Sequence, residues 1–272
     1  MATDALTQRG VAEPQAGWPT WLRSLWHNWY VYSKTWRSSL TTSFLQPVMY
    51  LAAMGLGIGS LVDHHSGGVD GVSYLAFVAP GLLAATMLQM GVAECSYPVM
   101  AGLKWDRTYW AKVATPLSVA DVVIGHLGWT VVRFTSVAAV FLAVMAAFGV
   151  VASPWALLVV PVAVLSGTAT AAPTAAFSAT QDSDYGMALL FRLGVLPMFL
   201  FSGVFYPVTR LPQWAQVLAQ LVPLTHGVNL CRALTLGTGF GWGLVFDLGY
   251  LIAWSAVGLA LALRTFGRRL VE

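Results

Sequence analysis

Glu94, His126, Arg133 and Arg192 are ionisable side chains that lie within apolar stretches of the sequence. A charge inside a bilayer is costly, so each needs a partner, water or an interfacial position, and each is a candidate for a transport pathway. His126 and Arg133 are seven residues apart, a spacing that places them on one face of a helix. Glu94 can pair with either of them. The alternative is a structural ion pair that joins two helices.

A short basic and aromatic stretch, the basic loop (residues 102–117), lies between two of these apolar runs. It carries three of the 14 Lys and Arg residues within nine positions. Because Lys and Arg collect in cytoplasmic loops, we predict that it lies on the cytoplasmic side. A short helix with an apolar and a basic face is expected inside it, closed by a proline. Its candidate contact residues are Leu103, Lys104, Arg107, Tyr109, Trp110, Lys112 and Pro116.

The sequence lacks the patterns of the common catalytic sites. No G-x-x-x-x-G-K-[ST] sequence occurs, so the chain does not bind ATP through a P-loop. H-E-x-x-H and G-x-S-x-G are also absent, and His64 and His65 in a polar loop are interpreted as solvated. An intramembrane enzyme is therefore disfavoured, and neither a metal site nor a cofactor is expected in this chain.

The composition is that of an integral membrane protein. Of the 272 residues, 57% are hydrophobic and only 9% are charged, whereas roughly a quarter of a soluble domain is charged. The net charge of +3 is small and the cations lie in loops and flanks, which favours anionic lipid over nucleic acid as a partner. Cys95 and Cys231 lie in apolar surroundings and are predicted to be unpaired core residues.

The N-terminal 37 residues divide into two parts. Residues 1–17 are polar and without periodicity, and we expect a mobile cytoplasmic tail. Residues 18–37 place a set of apolar residues on one helical face, namely Trp18, Leu22, Leu25, Trp29, Tyr32 and Trp36. This pattern predicts an amphipathic helix at the membrane interface rather than a cleaved signal. A helix that simply packs on the rest of the protein is the alternative.

Six runs are long enough to cross a bilayer, whose core of about 30 Å requires about 20 apolar residues. They cover residues 40–62, 73–101, 119–150, 155–180, 187–204 and 244–263. The basic loop and the arginines after the last run predict that both termini are cytoplasmic, and that residues 63–70, without Lys or Arg, lie outside. The predicted fold is all-α, with residues 38–272 in one six-span domain. The fourth run contains a ladder of small residues suited to close helix packing, formed by Gly167, Ala171, Ala175 and Ala179.

Residues 205–243 are neither a span nor a polar loop. They contain apolar pieces too short to cross a bilayer, separated by Pro207, Pro212, Pro223 and Gly227. We predict a re-entrant pair of half-helices that enters from the outer face before the last span. Backbone at such breaks must be buried in protein or line a wet cavity, so the region is a candidate exit gate with Pro207, Pro223 and His226. An amphipathic hairpin resting on the outer leaflet is the alternative.

Four segments resemble one protein family when taken together in their order along the chain. They are SYLAFVAPGLLA (residues 73–84), ECSY (94–97), YWAKVATPLSVADVVIGHL (109–127) and FSGVFYPVTRLPQWAQVLAQLVPLTH (201–226). Over residues 20–270 the chain is similar to the type-two ABC exporter permeases, and within them to the branch of nodulation-factor and daunorubicin exporter permeases. The most specific motifs are A-T-P-L-S at 114–118 and P-L-T-H at 223–226.

The resemblance implies an interfacial N-terminal helix, six spans, a first cytoplasmic loop that contacts an ATPase subunit, and a re-entrant pair before the last span. It also implies that two permease protomers, identical or different, pair with two ATPase subunits, which carry the ATP and Mg. The basic loop would then couple the permease to the ATPase, and the exported molecule would be an amphipathic drug, lipid or lipo-oligosaccharide. The alternative function is a membrane anchor or assembly factor that transports nothing.

Overall fold

The computed structural model describes residues 19, 21–22, 25–26, 28–30, 32, 45 and 47–271. Within this part the chain is helical and contains no strand beyond an isolated bridge between Val69 and Val72, which confirms the predicted all-α class. The predicted tail (1–17) lies outside the described residues. So do parts of the predicted interfacial helix (18–37) and the beginning of the first predicted span (40–62).

Nine helices can be numbered from residue 47 onwards. Helix α1 covers residues 47–66 and includes a π-helical segment, Ala53–Gly59. The others are α2 (Tyr74–Trp105), α3 (Thr108–Val113), α4 (Val119–Ala147), α5 (Pro154–Thr180), α6 (Asp184–Phe201), α7 (Gln213–Leu221), α8 (Pro223–Leu236) and α9 (Trp242–Val271). Further described helical residues precede α1 at 21–22, 25–26, 28–30 and 32 and are called the N-terminal helix.

Five helices among the described residues are long and apolar enough to cross a membrane, namely α2, α4, α5, α6 and α9. They correspond to the second through sixth predicted runs. Since the first run is only partly described, a total of six spans stays a prediction.

Local sequence chemistry sets several helix ends. Ser118 and Asp121 form a capping box at the start of α4, in which each side chain accepts the other residue's backbone N–H. Gly237, with φ of 72°, ends α8 in the left-handed conformation that glycine adopts without strain. Pro98 interrupts the helical pattern of α2 at Ser96, because proline has no N–H and its ring clashes with the carbonyl four residues earlier.

Helix α5 lies at the centre of the bundle and packs against α2, α4, α8 and α9. All four small residues of the predicted ladder are buried. A Cβ atom on Gly167 would lie 2.8 Å from the Phe134 ring, and one on Gly91 would lie 2.9 Å from the Gly167 carbonyl oxygen. These distances confirm that small side chains let the neighbouring helices approach α5 closely.

Polar contacts tie the helix ends together at each end of the bundle. At one end, Asp182 in the α5–α6 turn accepts from Arg269 near the end of α9 and lies 3.4 Å from Lys104 near the end of α2. At the opposite end, Arg232 of α8 donates to the carbonyl oxygens of Phe77 and Gly203, at 3.1 and 3.0 Å. The predicted inner segments therefore meet at one end and the predicted outer segments at the other.

Candidate functional site

The basic loop is shorter than residues 102–117, because α2 continues to Trp105. Leu103 and Lys104 belong to the π-helical last turn of α2 (Ala101–Trp105), and only the following residues form the separate short helix α3. The short helix expected inside the loop therefore includes Tyr109 but not Leu103, which corrects the prediction that both contribute to one loop element. The π-helical turn keeps these residues in the helical ladder up to the point where Arg107 adopts φ of 51° and starts α3.

Tyr109 was expected on an exposed apolar face but is buried, with 5% of its surface exposed. Its hydroxyl lies 3.2 Å from Nδ1 of His126 in α4, and its ring centre is 5.7 Å from that of Phe266 in α9. It fits against Gly102, where a Cβ atom would approach the ring to 2.7 Å. Burial raises the pKa of Tyr109, so the hydroxyl keeps its proton. The residue joins the loop to two long helices.

Of the predicted contact residues, Arg107, Trp110 and Pro116 are exposed, and they share the exposed surface of the loop with Trp105, Asp106, Thr108, Ala111, Ala114 and Thr115. We call this exposed surface the loop surface. Trp110 is 42% exposed, and its indole N–H donates to the Leu103 carbonyl at 2.9 Å, which fixes the ring orientation. Trp105, at 56%, is more exposed and was missed in the sequence, although it is a third aromatic residue of the same stretch.

The two lysines of the loop lie beside the loop surface and are partly buried. Lys104 donates to the Asp182 carbonyl, and Lys112 lies 5.8 Å from the centre of the Tyr109 ring. Burial lowers the pKa of Lys112. Neither lysine is therefore a free surface cation, and Arg107 is the exposed cation of the described loop.

His126 connects the interruption of α2 at Ser96 to the short helix α3. Since Pro98 has no N–H, the Glu94 carbonyl lacks its helical donor, and Nε2 of His126 lies 3.2 Å from that oxygen. A neutral imidazole with its proton on Nε2 donates to this carbonyl and accepts the Tyr109 hydroxyl at Nδ1. Both ring nitrogens are thus satisfied without a charge.

Arg133, one of the two predicted candidates for pairing with Glu94, forms an ion pair with it that joins α4 to α2. This geometry is the one that the structural alternative requires. The guanidinium also lies 5.9 Å from the centre of the Tyr32 ring, and Tyr32 in turn packs on Trp129, with ring centres 5.3 Å apart. The N-terminal helix therefore covers this pair from one side, and its Leu25, Trp29 and Tyr32 contact α4.

Arg192, the fourth ionisable candidate, lies apart from the others. It is exposed on α6, and no carboxylate of the described residues is within ion-pair distance. It takes no part in the Glu94 and His126 contacts.

The predicted re-entrant region does contain two short helices, α7 and α8, of 9 and 14 residues. Pro207 precedes a single 3-10 turn (Val208–Arg210), and Pro223 is the first residue of α8. Gly227, however, does not break the chain. It lies within α8, where a Cβ atom would come 2.2 Å from the Ser166 hydroxyl, so its role is close packing on α5. Entry of these helices into the membrane stays a prediction.

The break between α7 and α8 is bridged by the side chains of His226, Asp247 and Tyr250, and we call this arrangement the gate joint. A helix leaves its last carbonyls without intrahelical partners. At the end of α7, Nε2 of His226 lies 2.9 Å from the Gln220 oxygen, and the Tyr250 hydroxyl donates to the Leu221 oxygen at 2.7 Å. Asp247 then fixes His226, with Oδ1 2.5 Å from Nδ1. Both members of this pair are buried.

Both contacts of the His226 ring are hydrogen bonds only when the pair holds one more proton than a neutral histidine and a carboxylate carry together. Both ring nitrogens of His226 face oxygen acceptors, and a neutral imidazole has one N–H only. The two contacts are satisfied when His226 is an imidazolium beside the Asp247 carboxylate, or when neutral His226 accepts from protonated Asp247. In either form the buried pair is neutral overall, which is the inexpensive state in an apolar interior.

Sequence reasoning missed Asp247, and a usable signal was present. Asp247 lies within the predicted span 244–263, so the rule that singled out Glu94 applies to it equally. It also missed Arg232, whose guanidinium lies 3.7 Å from the centre of the Phe77 ring and bonds to two carbonyls.

The chain is similar in sequence to one protein family and to several known proteins. Residues 21–236 match the family described as ABC-2 type transporter. A "Nodulation protein J" from Rhizobium leguminosarum bv. viciae is 30% identical over 264 residues, which covers 97% of this chain and 100% of the relative. Another from Rhizobium meliloti (strain 1021) is 29% identical, covering 96% and 97%. The "Inner membrane transport permease YadH" of Escherichia coli (strain K12) is 28% identical, covering 90% and 97%.

Proposed function

The chain belongs to the ABC-2 type transporter family, and we propose that it is the permease subunit of an ATP-driven exporter that moves an amphipathic molecule out of the cell. The observation that carries this proposal is the loop surface, which exposes two tryptophans and an arginine directly beside the buried Tyr109. The chain has no P-loop sequence, so ATP and Mg bind to a separate ATPase subunit, present in two copies. A second permease protomer completes the complex.

The grouping of the helix ends supports the proposed topology. Both termini, the basic loop and the Asp182 turn lie in the cytoplasm, and residues 63–70 lie outside. The cation asymmetry of the sequence and the contacts of Asp182 with Lys104 and Arg269 support this orientation. Labelling of a cysteine at position 107 from outside intact cells, in a protein without Cys95 and Cys231, would contradict it.

Helix α9 connects the loop to the gate joint in the proposed mechanism. Phe266 near its inner end contacts Tyr109, and Asp247 near its outer end holds His226. These positions are 19 residues apart, or about 28 Å along a helix. No proline lies between Asp247 and Phe266 in the described helix α9, so nothing of that kind kinks it. Displacement of α3 by ATPase closure would therefore move α9 as one body, and Asp247 would shift with it at the gate joint.

Capture of the ATPase by purified permease tests the docking step. Truncating a buried aromatic at the centre of an interface costs about 2 kcal/mol or more, or about 30-fold in affinity, whereas a rim cation costs under about 1 kcal/mol. We expect this larger loss for Trp110→Ala and the smaller one for Arg107→Ala. Trp242→Ala is the matched control, because Trp242 is 88% exposed at the opposite end of the bundle.

Detergent-solubilised protein separates docking from membrane anchoring, because the bilayer is gone. Undiminished capture by Trp110→Ala would contradict the docking role of the loop surface. A permease that captures no ATPase at all would favour the alternative, a membrane anchor or assembly factor.

Phe266→Ala tests the transmission step separately. We expect the variant to capture ATPase normally and to hydrolyse ATP, with transport per ATP reduced, because the contact between Tyr109 and α9 is lost. Unchanged transport per ATP would show that α9 does not carry the motion.

A further inference from the structure

Arg232 of α8 joins three segments that are far apart in the sequence. Its Nε donates to the Phe77 carbonyl oxygen in the first turn of α2, at 3.1 Å. One Nη donates to the Gly203 carbonyl oxygen in the turn after α6, at 3.0 Å. The guanidinium carbon also lies 3.7 Å from the centre of the Phe77 ring. One side chain therefore holds α2, the end of α6 and α8 together, on the outer side of the bundle in the proposed topology.

The direct partners of Arg232 carry no charge. No carboxylate of the described residues lies within ion-pair distance of its guanidinium, and the charge of Asp70 in the outer loop acts on it only from farther away. Separating a buried ion pair leaves an unpaired charge on each side. Two carbonyls and a ring can instead be exchanged for water without leaving a second charge behind. This contact is therefore suited to open and to form again.

The contact depends on the shape of the arginine as well as on its charge. A guanidinium is a planar fork that can donate to two carbonyls while its face lies on an aromatic ring, whereas a lysine ammonium is a point charge on a flexible stem. Gly203 contributes to the fit, because its φ of 76° lies in the left-handed region. A Cβ atom at this position would also lie 2.5 Å from a methyl group of Val208.

Helix α6 is held at its two ends more than along its length. Only three of its residues are buried within the chain, namely Gly186, Met187 and Val195, whereas most residues of α2 are buried. Its inner end follows Asp182, which contacts Lys104 and Arg269. Its outer end precedes Gly203, which Arg232 holds. Release of one end would therefore let that end of α6 move.

From the three-way contact of Arg232 and the small buried surface of α6, we propose that Arg232 is the outer latch of the permease. It holds the end of α6 against α2 and α8 while the exit is closed, and it releases that end during export. The proposal rests on the proposed exporter function and assigns a positioning residue for the release step. Val204, which follows Gly203, is 1% exposed, and a Cβ atom on Gly81 of α2 would lie 3.1 Å from its Cα atom. Opening of the latch therefore uncovers Val204.

Maleimide labelling of the full-length permease in lipid nanodiscs tests the latch. Val204→Cys reports on the outer end of α6, and Met187→Cys reports on the inner end, where Met187 is 0% exposed. Both are made in a protein without Cys95 and Cys231. A hydrogen bond from a charged group is strong enough to change an opening equilibrium about tenfold or more. We expect Arg232→Gln to raise the labelling rate at position 204 by about this factor and to leave position 187 unchanged. Equal acceleration at both positions would show general destabilisation and would overturn the latch.

Two further variants separate the fork from the charge. Arg232→Lys keeps the positive charge but does not hold both carbonyls, so we expect labelling at position 204 nearly as fast as in Arg232→Gln. Arg210→Gln is the matched control, because Arg210 is an exposed cation in the 3-10 turn that follows Gly203, and the rate should stay unchanged. Slow labelling in the lysine variant, or fast labelling in the Arg210 control, would contradict the latch.

ATP turnover tests the release step. With the ATPase partner present, position 204 should label faster with ATP than without it when Arg232 is kept, and equally fast in both conditions in Arg232→Gln. If the permease exports while position 204 does not respond to ATP, the exporter function stands and only the latch fails. A permease that captures no ATPase would instead remove the exporter function on which the latch rests.

Discussion

Removal of the Asp247 carboxylate is the most direct test of the gate joint. In Asp247→Ala, Nδ1 of His226 loses its partner while the ring stays buried, at 0% exposure, against the Gln220 carbonyl. A hydrogen bond between membrane helices is worth about 0.6 kcal/mol on average and at most about 1.7. Breaking a buried ion pair on one side costs about 3–5 kcal/mol. Because this pair is buried and short, we expect a loss of about 3 kcal/mol.

Asp247→Asn separates the hydrogen bond from the charge. An asparagine amide can donate to Nδ1 of neutral His226, whose Nε2–H still donates to Gln220, so all contacts are kept without the extra proton. We expect a loss below about 1 kcal/mol for this variant. The measurement is the free energy of unfolding in bicelles by steric trapping, with Asp182→Ala as the control for loss of a solvent-exposed pair. Equal losses for Asp247→Ala and Asp247→Asn would refute the proton count.

The remaining predictions concern the other polar contacts. Glu94→Ala should destabilise the protein by about 3 kcal/mol by leaving Arg133 unpaired, and the double variant Glu94→Ala/Arg133→Leu should recover at least part of this in a double-mutant cycle; purely additive losses would argue against the pair. Gly227→Ala should cost about 1–3 kcal/mol, because its Cβ would lie 2.2 Å from the Ser166 hydroxyl, and Ser166→Ala should reduce that cost. Arg269 and then Lys104 lower the pKa of Asp182 below 3.8. The contacts of Asp182 with these two residues therefore stay intact above that pH and are lost as the pH falls through the lowered pKa, which ¹³C NMR titration of the carboxyl would show.

The spans were predictable because they depend on properties that a single sequence carries. Apolar length and proline or glycine breaks placed the fifth run at 187–204, where the structure has Asp184–Phe201. The sixth run was predicted to end at residue 263, but α9 continues to Val271. Arg264, Arg268 and Arg269 lie in this extension and are compatible with a helix that continues beyond the apolar region, since helix propensity does not require a membrane.

The orientation of the loop residues was not predictable in the same way. Tyr109 and Trp110 are adjacent aromatic residues, yet the first is buried and the second exposed. Periodicity tells which residues share a face, but it does not tell which neighbour that face meets. Here the outcome depends on Gly102, which leaves space for the Tyr109 ring, and on Phe266, which is 157 residues away in sequence.

The two histidines that the sequence singled out perform the same backbone task at two breaks. The interruption at Pro98 frees the Glu94 carbonyl for His126, and the end of α7 frees the Gln220 carbonyl for His226. A proline lies at each break, Pro98 in α2 and Pro223 after α7, but the sequence does not show which donor bonds to the freed carbonyl.

The second ring nitrogen distinguishes these histidines chemically. In His126 it meets the Tyr109 hydroxyl, which can donate, so the site is complete with a neutral ring. In His226 it meets Asp247, which as a carboxylate can only accept, so this site is complete only with an additional proton. Loss of that proton would place an acceptor against an acceptor at the buried gate joint while leaving the inner contact unchanged. The two histidines therefore differ in the partner of the second ring nitrogen, which is a hydroxyl at the loop end and a carboxyl group at the gate joint.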